Sequence, residues 1–159
     1  MTLKAENIAV LLGTVCATEE IPHEAFVVGS SSALVLQGLR DSCPVLSVWL
    51  EKRHFEALCE THAVTNHPMT DTLVVLSKDS QRVEVREFNP YFEFNTVQYP
   101  DVGYPVRVFN NLTLLIQKRF EFSQLTAASA SEEEVKQVIQ DIRVLNDYHA
   151  AKNKVKEVA

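Results

Sequence analysis

Apolar residues at Ile8, Leu11, Leu12, Val15 and Cys16 recur at helical spacing, which predicts an amphipathic first helix ending between Ala17 and Glu20, ahead of Pro22. Its apolar face is expected to pack on a sheet. The run from Ala25 to Val28 reads as a short strand that stops at Gly29-Ser30-Ser31-Ser32, and good helix formers return over Ala33 to Leu39. Pro44 to Leu50 has the β-branched and aromatic content of a second strand, and Glu51 to Thr61 reads as the next helix. The chain therefore opens α-β-α-β-α.

The pattern then changes. Thr72 to Leu76, Arg82 to Phe88 and Tyr91 to Val97 are short strand-like segments separated by Lys78-Asp79-Ser80-Gln81 and Asn89-Pro90, and are expected to form consecutive antiparallel strands. Charged and other residues alternate from Arg82 to Glu87, the pattern of a half-exposed strand near an edge. Tyr104 to Val108 can add a further strand. Asn110 or Asn111 can cap a helix through Leu112, Leu114, Leu115 and Ile116 that ends near Arg119. A last, longer helix starts at Ser131, with Glu134 in capping-box position and apolar residues at Val135, Val138, Ile139, Ile142 and Leu145. No repeat, low-complexity run or long Pro/Gly-rich linker divides the chain, so residues 1–159 are expected to form one α/β (α+β) domain, a mixed sheet flanked by helices.

Composition fits that size: 159 residues, 46% hydrophobic and 23% charged, can bury a substantial core. A net charge of −6 and a pI near 5.4 argue against nucleic acid as a partner, because binding to phosphate backbones depends on clustered Lys and Arg. Cys16, Cys43 and Cys59 are odd in number, widely spaced and free of any CxxC pair, which suggests buried thiols rather than disulfides or a zinc cage. The apolar stretch before Leu12 is too short for a signal peptide or a membrane span, so a cytoplasmic protein with no membrane partner is expected.

Any chemistry is expected at Gly29, Ser30, Ser31 and Ser32. There a helix N-terminus offers free backbone N–H groups and small side chains let an anion approach. An ordinary serine-capped helix after a tight turn gives the same pattern, and both readings stay open. His62, His67 and Asp71 imitate a metal set, but Thr65, Asn66 and Pro68 argue for a surface loop, so no metal ligands are expected there. Cys59 and His62 lack an identifiable orienting acid. Trp49, Tyr91, Phe92 and Phe94 suit either base stacking or a core, and Lys152-Asn153-Lys154-Val155-Lys156 suits a cationic helix C-terminus.

The stretch Gly29-Ser30-Ser31-Ser32-Ala33-Leu34-Val35-Leu36-Gln37-Gly38-Leu39-Arg40, followed by a loop and the strand Val45-Leu46-Ser47-Val48-Trp49-Leu50, resembles the opening of small nucleotidyltransferases. Later segments agree with it: Val106 to Arg119 looks like that family's strand and helix with a lysine, Lys118, near its end, and Gln140-Asp141-Ile142 matches a recurring acidic-apolar step. The resemblance implies a nucleotidyltransferase-like fold, a triphosphate cradled by Gly29, Ser30, Ser31 and Ser32, and two acids one residue apart on the next strand. Such acids hold the divalent cations that neutralise charge during in-line attack on phosphorus. Aligned through Gly38-Leu39-Arg40 and Trp49, the acidic positions fall on Val45 and Ser47, and the nearest acids are Asp41 and Glu51. Glu84 or Glu87 is the candidate for the family's third acid.

Two functional readings follow from the resemblance. In the first, a catalytically degenerate nucleotidyltransferase-like protein binds a protein partner, such as a phage or bacterial host factor, and needs no cofactor. In the second, an active enzyme uses Glu51, Glu84 or Glu87 with Mg and NTP to transfer a nucleotidyl group to protein, RNA or a small molecule. Nucleotide binding that outlived the chemistry is a third, and the family's occurrence in toxin–antitoxin and phage gene sets suggests such a source.

Overall fold

A computed structural model describes residues 2–66, 72–78, 80–88, 94–97 and 104–158. The chain comprises two compact units, Met1–Phe109 and Asn110–Ala159. His67, Asp71, Tyr91 and Phe92, considered above, lie outside the described residues.

In the first unit, helix α1 (Ala5–Glu19) buries Ile8, Ala9, Leu11, Leu12 and Val15, the expected stripe. Asn7 fixes its start by accepting the Lys4 N–H at 3.0 Å. Strand β1 (Phe26–Val28) is wholly buried and leads through Gly29 into helix α2 (Ser30–Leu36). Gly38, at φ 74°, closes α2: its N–H bonds Val35 O, and the following Leu39 N–H reaches Leu34 O. Only glycine enters that left-handed turn without a steric cost. Strand β2 (Leu46–Leu50) and helix α3 (Lys52–Thr61) follow as expected. Four further strands are β3 (Val64–Asn66), β4 (Thr72–Lys78), β5 (Gln81–Glu87) and β6 (Phe94–Val97), before β7 (Val106–Phe109) completes the unit.

Among the described residues these strands form one mixed sheet in the order β3-β4-β5-β2-β1-β7-β6. Strands β2 and β5, and β1 and β7, run parallel; the other neighbours are antiparallel. Because side chains alternate between faces, Leu46, Val48 and Leu50 share one face with Val83, Val85, Val74 and Leu76, all of them buried. Helix α1 reaches that face through Glu19, which pairs with Lys78 at 3.0 Å. The opposite face carries Ser47 and Trp49 beside Glu84 and Arg86.

Three expectations are corrected. Strand β5 lies between β4 and β2, not near an edge; its charged residues reflect a polar sheet face, which alternation cannot distinguish from a polar edge. Strand β6 does not continue the β4–β5 meander but pairs with β7 at the far end of the sheet, because the parallel strand β2 already occupies the position beside β5. Residues 64–66 form a strand rather than surface loop: Val64 and Thr65 are β-branched and pair with Val74 and Leu73.

The second unit is a helical hairpin of α4 (Asn111–Ala127) and α5 (Glu132–Val158). Asn110 caps α4 by accepting the Thr113 N–H at 2.9 Å, and Ser131 accepts the Glu134 N–H at 3.3 Å. Helix α4 runs well beyond the expected end at Arg119, so Lys118 lies in its interior. There it is 1% exposed and pairs with Asp141, itself 2% exposed, at 3.0 Å. Glu121 and Gln137 surround the pair, Gln137 Nε2 donating to Asp141 Oδ1 at 3.1 Å. Two opposite charges so deeply buried tie α4 to α5, since either alone would be strongly unfavourable.

Candidate functional site

The turn between β1 and α2 is built against β2. Strand β1 stops at Val28, but the Gly29 N–H still reaches Ser47 O at 3.0 Å, carrying the ladder one step further. Ser32 then takes the place of a strand residue. Its hydroxyl is fully buried, accepts the Ser47 N–H at 3.1 Å and donates to Gly29 O at 2.7 Å. A side chain at position 29 has no room: a Cβ would stand 2.5 Å from the Trp49 ring and 2.8 Å from that of Phe109. These two rings meet edge to face with centroids 5.2 Å apart. Close approach is therefore the reason for glycine here.

The other two serines of the turn differ from Ser32. Ser30 is half-buried at φ 51°, a left-handed conformation uncommon outside glycine. Ser31 Oγ accepts from Arg40 Nη1 at 2.7 Å, while Arg40 Nε holds Ser42 O, also at 2.7 Å. Of the four residues expected to cradle phosphate, Ser32 thus has its hydroxyl committed to backbone, and Ser31 is gripped by an arginine.

Beside the turn, the parallel register sets Ser47 opposite Glu84 and Trp49 opposite Arg86. Val45, just before β2, is half-buried. Glu84 is the acid that this register brings alongside Ser47, and two arginines of its own strand engage it. Arg82 Nη2 stands 3.1 Å from Oε1, and both terminal nitrogens of Arg86 stand 3.5 Å from Oε2. The Arg86 guanidinium also lies over the Trp49 ring, 5.5 Å from its centroid. Residues 82, 84 and 86 share a face because a strand repeats every second residue.

The remaining acids are elsewhere. Glu87 belongs to the other face with Val83 and Val85, where its charge acts on Cys59 of α3. Glu51 is exposed at the start of α3. Among the described residues no group of three or more His, Cys, Asp or Glu could hold a metal ion. A site for two divalent cations needs converging carboxylates. Among the described residues, Val45, Ser47 and an arginine-paired Glu84 do not supply such a converging set.

His62, weighed as a ligand and as a base for Cys59, instead sits 3.0 Å from Glu19. Burial works to raise the Glu19 carboxyl, but hydrogen bonds with His62 and Lys78, and their charges, hold it below the usual range. Burial pushes the Cys59 thiol up, with Glu87 and Glu56 adding to the effect. The Cys16 thiol rises to about 11, chiefly through burial, partly offset by a backbone hydrogen bond and reinforced by Glu24. Neither suits a nucleophile near neutral pH. Of the aromatics, Trp49 is buried and Phe94 is 39% exposed, with Arg107 over its ring.

The sequence marks the strand from Arg82 to Glu87 as a surface for a partner, but not Arg82 and Arg86 as a pair around Glu84, nor Ser32 as a backbone clamp. A signal for the first existed: Arg-x-Glu-x-Arg on a strand places three charges on one face.

The mixed sheet, the Gly-Ser turn after β1 and the helices around them make a nucleotidyltransferase-like fold. Among solved structures the chain is similar to an antigenic nucleotidyltransferase-like protein from Paracoccidioides brasiliensis, with a TM-score of 0.50 and 14% identity over 91% of this chain and 78% of that one. At that identity the likeness is one of fold. No family model matches the chain, and no curated protein matches it. Among the described residues, no helix is long and apolar enough to cross a membrane.

Proposed function

We propose that this chain is a nucleotidyltransferase-like protein without transfer chemistry that acts by binding a protein partner in the host cytoplasm. The observation that carries the reading is the charge arrangement beside the Gly-Ser turn. Val45 and Ser47 stand where the resemblance puts acids, and the adjacent Glu84 faces two guanidinium groups. Transfer from Mg–NTP would rest on Glu51, Glu84 or Glu87, and more than one of them would have to converge on the metals. Glu84 and Glu87 project from opposite faces of β5, which weighs against that alternative.

An interaction role is further supported by α4, where Leu112, Ile116 and Phe120 follow one another every fourth residue and are 58%, 53% and 58% exposed. The full chain, immobilised and exposed to cytoplasmic extract of its host, is expected to retain a protein in stoichiometric amount. Ile116→Asp should abolish that retention while leaving the circular dichroism spectrum intact. Retention of no stoichiometric protein, together with nucleotide transfer by the same preparation, would establish the enzyme instead.

A further inference from the structure

We propose that Arg82 and Arg86, gathered around Glu84, form a site for a phosphate-type oxoanion that works without a divalent cation. The site requires no protein partner, so it stands or falls separately from the function proposed above.

The case begins with charge. Among the described residues, two guanidinium groups face one carboxylate, which leaves one positive charge in excess in the cluster. The apolar Leu73 and Val75 of β4 and Ser47 and Trp49 of β2 flank these positions in register and add no charge of their own. Geometry points the same way. Arg86 touches Glu84 only at 3.5 Å through both terminal nitrogens, the outer limit of a hydrogen bond, whereas a well-made guanidinium–carboxylate contact is about 2.8 Å. Packing on Trp49 restrains its plane, so the fork is held in place but loosely engaged. Arg82 is 54% exposed, against 20% for Arg86 and 19% for Glu84, so the cluster meets solvent mainly through Arg82.

In this arrangement the guanidinium groups supply the positive charge for the anion, and Glu84 competes with the ligand instead of helping to bind it. That reverses the sign expected of a metal site. Neutralising Glu84 removes a cation ligand from a metal centre, but here it frees two forks for the anion.

Pyrophosphate binding to the full chain, measured calorimetrically at low salt with EDTA present, tests the proposal. Saturable binding is expected, tightened several-fold in Glu84→Gln and weakened about tenfold in Arg86→Gln, the equivalent of one lost charge-assisted contact. Lys52→Gln, on exposed α3, should leave binding unchanged. Circular dichroism and Trp49 fluorescence establish that each variant is folded. Mn²⁺ followed by electron paramagnetic resonance should show no saturable site. The proposal is overturned by absence of pyrophosphate binding in both the native chain and Glu84→Gln. Weaker binding in Glu84→Gln, an equal loss in Lys52→Gln, or a Mn²⁺ site that vanishes in Glu84→Gln would overturn it as well.

Discussion

Replacing Ser32 with Ala removes the hydroxyl that continues the sheet where β1 ends. The Ser47 N–H then lacks its acceptor at 3.1 Å, Gly29 O loses a donor at 2.7 Å, and a longer approach to Ser47 O at 3.3 Å disappears. Their consequences are unequal. Gly29 O still accepts the Ala33 N–H at 3.2 Å, whereas the Ser47 amide sits in a residue only 8% exposed. An orphaned buried N–H costs about 1–3 kcal/mol, so a loss of about 2 kcal/mol is expected. With a urea dependence of about 1–3 kcal/mol per molar, the unfolding midpoint should fall by roughly 1 M at unchanged slope. Trp49, the single tryptophan of the chain, lies against Gly29 and reports this transition by fluorescence. Pyrophosphate binding by the folded variant should not change, because the hydroxyl faces backbone rather than ligand. A loss below about 0.5 kcal/mol would refute the clamp.

In the helical hairpin, Lys118→Met should cost about 3–5 kcal/mol by removing the cation beside the buried Asp141, and Lys118→Met/Asp141→Leu should recover most of it; a double variant as unstable as the single one in urea melts would contradict the buried pair. Glu19, whose carboxyl is held below its ordinary value of 4.5, contributes stability that is fully present above that pH and lost as pH falls through the lower folded value. Native stability should therefore drop more steeply below about pH 4.5 than that of Glu19→Gln, and parallel acid limbs in denaturation would exclude this role. Cys16, with its thiol at about 11 against an ordinary 9.0, should alkylate at pH 8 about 100-fold more slowly in the native chain than in urea. Equal labelling rates by mass spectrometry would contradict the raised thiol of this half-buried residue.

The first half of the fold was legible because each element there declares itself locally. Ile8 to Val15 keep a helical period, Phe26 to Val28 and Leu46 to Leu50 are short apolar runs, and Gly29 and Gly38 punctuate them. Sheet order was not, since alternation in Arg82 to Glu87 reports which face is polar but not which strand lies alongside. The parallel pairing of β5 with β2 is a long-range event, and it alone brings Glu84 beside Ser47. The same limit hid Ser32: a serine after a glycine reads as a helix cap, while its bond to Ser47 spans fifteen residues. Lys118 and Asp141 were visible as matches to a pattern, yet their burial depends on α4 extending to Ala127, past the last strongly apolar positions expected for it.

Whether the chain transfers nucleotides is tested most directly by incubating it with α-labelled ATP, GTP, CTP and UTP and host extract, in Mg²⁺ and separately in Mn²⁺. On the proposed function, with Val45 and Ser47 where the resemblance puts acids and Glu84 paired with Arg82 and Arg86, labelling of protein, RNA and small molecules should not exceed that of a heat-inactivated control. Metal-dependent labelling that disappears in Glu84→Gln would contradict the proposed function.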